Sequence, residues 1–137
     1  MAQAEPGVTP GKFRGLCFEA ARRTGGEVVR WSIPEVVPNY HEVHIEYRDL
    51  RGTIVVLWTA AGDVALTASP EPLPPVEFLD DVALMAVLAE LSNDIRVRTR
   101  DELEMPFKAA EWPDLDPRDV RYWRPERVGD VLFNFWD

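Results

Sequence analysis

Residues 39 to 68, NYHEVHIEYRDLRGTIVVLWTAAGDVALTA, decide the fold. From His41 the side chains alternate, with His41, Val43, Ile45 and Tyr47 on one face and Glu42, His44, Glu46 and Arg48 on the other. Strand side chains repeat every two residues, so this pattern predicts a half-buried strand with one wet face. Asp49-Leu50-Arg51-Gly52 supplies a turn, and Gly52 offers the positive φ that closes many hairpin loops. Thr53 to Thr59 (TIVVLWT) is apolar on both faces, as a central strand is. Ala61-Gly62-Asp63 turns the chain again, and Val64, Leu66 and Ala68 form a third inward set. Two successive hairpins make an antiparallel meander, whose apolar face must be buried by the rest of the chain.

Upstream, Thr9-Pro10 predicts a helix start, with Thr9 as cap and Pro10 in the first turn, where its missing N–H costs nothing. Phe13, Leu16, Cys17, Ala20 and Ala21 form one apolar stripe, and Gly25-Gly26 ends the helix. Glu27 to Ile33 (EVVRWSI) is a further strand, with Val29, Trp31 and Ile33 on one face. Beside the meander it brings the sheet to about four strands. Pro34 and Pro38 bracket a stiff connection.

Downstream, SPEPLPPV (69 to 76) predicts an extended proline-rich crossover. Asp80 caps a helix with a Leu84, Met85, Leu88 and Leu91 stripe, and Ile95 to Arg98 alternates as a short strand. Thr99 and Glu102 match a capping box, while Asp116-Pro117 opens a brief helix through Tyr122. Val128, Val131, Leu132, Phe135 and Trp136 keep helical spacing to the end of the sequence. The expected fold is α+β: an antiparallel β-meander with helices packed mainly on one face. Residues 1 to 8 are expected as a disordered tail and 9 to 137 as one domain.

Composition narrows the function. Acidic residues outnumber basic ones 24 to 15, a net charge of −9, which repels a phosphate backbone and argues against nucleic acid as a partner. The same charge suits rapid capture of a basic protein partner. The basic residues are almost all arginine, a usage typical of GC-rich bacterial genomes; Lys12 and Lys108 are the lysines. One cysteine, Cys17, leaves no internal disulfide and fits a cytoplasmic protein. Its place in the apolar stripe makes it a structural thiol. No apolar run approaches the roughly 18 to 20 residues of a membrane span.

Motifs for chemistry are sparse. His41-Glu42-Val43-His44 resembles the HExxH zinc signature but fails on geometry, because its histidines are three apart in a strand and face opposite ways. Glu42, His44 and Glu46 then share the wet face, a possible general-base or metal-binding set for a small enzyme or ligand-binding domain. Asp114, Asp116 and Asp119 lack the glycine and spacing of a calcium loop. Gly7 to Lys12 is one residue short of a P-loop. Nothing nominates a catalytic group, a resident metal or a cofactor.

Aromatic residues remain. Five tryptophans include Trp31 and Trp58, expected in the core, and Trp123 in the run RYWR, 121 to 124. Tryptophan, tyrosine and arginine dominate binding hot spots. Arg121, Tyr122 and Trp123, with Phe133 and Trp136 of the tail, are therefore the interface candidates. Phe133 is included because it falls off the tail's apolar stripe. In general character, being small, acidic and poor in motifs, the chain is similar to immunity and antitoxin-like partner proteins. That likeness is of composition and carries over no sites. The expected function is non-enzymatic binding of another protein, with homodimerisation as a further possibility.

Overall fold

A computed structural model describes residues 8 to 34 and 38 to 136. Helix α1 spans Pro10–Thr24; its cap Thr9 accepts the Lys12 N–H at 3.2 Å, and Pro10 occupies the first turn. Gly25, left-handed at φ 84°, ends it by donating to the Ala21 carbonyl. The chain then enters β1 (Gly26–Ser32), β2 (Tyr40–Tyr47), β3 (Thr53–Thr59) and β4 (Asp63–Thr67), an antiparallel meander in sequence order. Gly52 (φ 62°) closes the β2–β3 turn, and the Tyr47 N–H donates to its carbonyl at 2.8 Å. Gly62 (φ 99°) closes the next turn, where an added Cβ would stand 2.9 Å from the Asp94 carbonyl oxygen.

Two short strands extend the sheet. β5 (Phe78–Leu79) pairs antiparallel with β4, and β6 (Arg96–Val97) pairs parallel with it. Between them lies α2 (Val82–Leu91), capped by Asp81 rather than Asp80; the Asp81 carboxylate takes the Leu84 N–H at 3.0 Å. After β6 come α3 (Arg100–Glu104), a 3-10 turn at Ala109–Glu111, α4 (Pro117–Trp123) and α5 (Val128–Leu132). Thr99 and Glu102 form the expected capping box, and Asp116 caps α4 ahead of Pro117.

The sheet is covered on both faces. Val43 opposite Val56, Ile45 opposite Ile54 and Trp58 opposite Val64 build one apolar surface. Phe13, Cys17, Ala20 and Ala21 of α1 and Leu84 and Leu88 of α2 close over it. Val55, Leu57 and Ala65 point the other way, into a second core with Tyr40, Val76, Phe78, Leu103 and Phe133. The expectation of helices mainly on one face therefore fits α1 and α2, whereas α3 and α5 lie over the opposite face. β3 and β4 are apolar on both sides because both sides are packed, and all five residues of β4 are buried.

Three local expectations change. Trp31 is not core; it sits on the edge strand β1 and is 45% exposed, packed edge-to-face on Phe18 at 6.3 Å. β1 carries a bulge between Val28 and Arg30, so Val29 and Trp31 do not alternate as the sequence suggests. The last helix stops at Leu132 instead of running to the end. Of the expected N-terminal tail, residues 1 to 7 lie outside the described residues, while Val8 is buried in the first core.

Candidate functional site

The tail after α5 is drawn off its helical course by Asn39, just ahead of β2. The Asn39 side chain donates to the Leu132 carbonyl at 2.9 Å and accepts the Asn134 N–H at 2.8 Å. Its backbone N–H donates to the Asn134 carbonyl at 2.9 Å. Asn134 in turn accepts the Trp136 N–H at 3.0 Å and donates to the Val131 carbonyl. Asn39 thus takes up groups that a continuing helix would have bonded internally, and the helix ends. Phe133 turns inward and is fully buried against Tyr40 and Phe78, at centroid distances of 6.1 and 5.7 Å. That removes Phe133 from the interface candidates: it is core.

The same clamp holds Trp136 on the outside, where its ring stacks on Trp123 at 6.3 Å with 10° between planes. Tyr122 packs edge-on against Trp123 at 4.9 Å and is itself 77% exposed. α4 delivers both residues through its last turn. Arg124 then caps that helix at φ 49°, a left-handed conformation that costs a non-glycine residue roughly 1 kcal/mol or more. Arg121 and Arg124 are exposed beside the aromatics. Three of the four aromatic candidates (Tyr122, Trp123 and Trp136) therefore form one cluster, flanked by Arg121.

Beside this cluster lies a groove of about 270 Å³, walled by Trp123, Trp136 and Phe135 and by Pro74, Pro75 and Pro125. Asp130 sits in its lining with its oxygens already engaged. Arg127 donates to Oδ1 at 2.8 Å, and the backbone N–H groups of Glu126 and Arg127 donate to Oδ2, each at 3.0 Å. Burial pushes the Asp130 carboxyl up, but the Arg127 guanidinium and those N–H groups outweigh it and leave the group below its ordinary value. Because the Asp130 carboxylate and the Asn134 amide already bond within the protein, an apolar or aromatic side chain entering the groove does not strip these two groups of their partners. The proline walls were not legible as part of a site: SPEPLPP shows a crossover, and only the tertiary fold brings it to Trp123.

The Glu42, His44 and Glu46 set is arranged differently from expectation. The face read as wet is largely covered, since the second core lies on it. His44 is 4% exposed and its Nε2 lies 3.0 Å from Glu42 Oε1, while Glu46 stays exposed. His41 points to the opposite face, 4.6 Å from Trp58, and burial pushes its pKa down. A shielded histidine bonded to one carboxylate satisfies a buried polar group. Among the described residues, no three His, Cys, Asp or Glu side chains converge as a metal site. Cys17 is buried, and burial pushes its thiol pKa up, which keeps it protonated and unreactive. Among the described residues, no helix is long and apolar enough to cross a membrane. Comparison with protein families, curated proteins and solved structures finds no match to the chain.

Proposed function

We propose that the chain is a non-enzymatic protein-binding module, an acidic partner protein of the immunity or antitoxin type. The observation that carries this reading is the surface cluster of exposed Tyr122 with the partly buried, stacked Trp123 and Trp136, beside a groove whose C-terminal wall is held by the Asn39–Asn134 clamp. Large aromatic surfaces on a fixed backbone are what binding hot spots require, because little freedom is lost when a partner docks. Tyr122, Trp123 and Trp136 anchor the partner, and Arg121 and Arg124 contribute at the rim. The net charge of −9 supports a basic protein as partner, attracted over distance by the whole molecule and gripped locally by the aromatics. The Glu42–His44 pair is a weaker basis for function, since His44 is 4% exposed and its Nε2 is already bonded to Glu42.

The test is capture from an extract of the source cells on the immobilised protein, at low and high salt, with Trp123→Ala beside the native chain. The proposal expects one stoichiometric partner retained by the native chain at low salt, loosened at high salt, and lost by Trp123→Ala. Equal retention by the variant would remove the aromatic cluster from the interface.

A further inference from the structure

A second surface lies at the opposite side of the sheet from the short strands β5 and β6. β1 pairs only with β2, so among the described residues its outer edge is unpaired. Unpaired strand edges are templates for another strand. Along this edge four large apolar side chains are exposed: Phe18 at 48%, Val29 at 49%, Trp31 at 45% and Ile33 at 55%. Arg14 lies over the Trp31 ring at 4.5 Å, so the indole is presented in a fixed position.

The bulge gives this edge a specific pattern. Residues three apart in a regular strand face opposite ways, but here Glu27 aligns with Glu46 and Arg30 with His44, which share a face of β2. Glu27 and Arg30 thus stand on the same face with opposite charges. Neither forms an ion pair with another described residue. On the other face, Gly26 aligns with Tyr47 and Trp31 with Val43. Next to Gly26 a hollow of about 410 Å³ opens between β1 and α1, lined by Gly15, Phe18, Ala21 and Val28 among others.

We propose that β1 is a self-association edge, through which two copies of this chain pair antiparallel about a two-fold axis normal to the sheet. One register satisfies both faces. Glu27 of each copy stands across from Arg30 of the other, and Trp31 of each stands across from Gly26 and its hollow. A strand carrying both charges on one face is its own complement when reversed, as an isologous interface requires. The bulge deters indiscriminate pairing by twisting the edge, and here it also selects the register that matches the charges. The edge is small beside the roughly 800 Å² per partner of stable complexes, so the dimer is reversible and concentration-dependent. This surface is separate from the Trp123 groove, and the inference does not depend on that groove binding a partner.

The experiment is sedimentation velocity of the full chain from micromolar to near-millimolar concentration, on the native sequence, Glu27→Arg, Arg30→Glu and the double exchange. The native chain is expected to shift from monomer to dimer. Each single change places like charges at both symmetric contacts and weakens the dimer by about tenfold or more, and the double exchange restores it. Trp31→Ala is expected to weaken it independently. All three positions are on the surface, so unfolding curves should confirm that the variants fold. A native chain that stays monomeric throughout overturns the proposal. So does a dimer that is indifferent to the single changes, or one lost in Trp123→Ala instead.

Discussion

At the scale of single residues, burial separates groups whose sequence context looks alike. Phe133 and Trp136 are both aromatic tail residues, yet one is fully buried and the other only partly buried at the surface. Phe133→Ala should therefore cost about 3–5 kcal/mol of unfolding free energy in denaturant melts, the usual cost of emptying an aromatic core site. Tyr122→Ala should cost almost nothing, because its ring is mostly in solvent already. Cys17 should resist a thiol reagent until the protein unfolds, then react at the rate of a free cysteine; rapid labelling of the native protein would contradict its assignment to the core. Asp130 supplies the pH-dependent term. Its folded pKa lies below its ordinary value, so the ionised form is favoured in the native state. The stability it adds is complete above the unfolded value, near 4 for an aspartate, and disappears as pH falls through the folded value. The advantage of the native chain over Asp130→Asn should accordingly be greatest near neutrality and shrink on acidification.

At the scale of elements, the meander was legible because its signals are local. The alternation in β2, the glycines at 52 and 62, the Thr99–Glu102 box and the Asp116-Pro117 start each act within a few residues, and each forms as expected. The end of α5 was not legible, because the groups that stop it come from Asn39, more than ninety positions away along the chain. Helical spacing in Phe135 and Trp136 says nothing about a competing hydrogen-bond partner brought in by the fold. The burial of His44 was hidden in the same way: alternation fixes which face a side chain takes but not what covers that face. Trp31 errs in the other direction. Its strand was legible, but its position at the sheet edge is a property of strand order. Asn39→Ala tests the clamp. It leaves the Leu132 carbonyl and the Asn134 N–H without their partner, which should cost about 1–3 kcal/mol. It should also free Trp136 from Trp123, read as a change in tryptophan fluorescence beyond that of any other surface alanine.

At the scale of the whole molecule, the sheet is covered on both faces, and two of the apolar surfaces left outside among the described residues invite a partner. One is the β1 edge, whose Glu27 and Arg30 are arranged to complement a reversed copy; the other is the Trp123 groove, whose Asp130 and Asn134 side chains bond within the protein. The net charge of −9 favours a basic partner at long range, with weaker attraction as salt rises. What most directly tests the central claim is a paired measurement on Trp123→Ala: its affinity for the captured partner and its unfolding free energy, each against the native chain. The account predicts that affinity falls by about tenfold or more while stability changes by only about 1 kcal/mol. Affinity and stability falling together, or affinity left unchanged, would contradict a binding role for the aromatic groove.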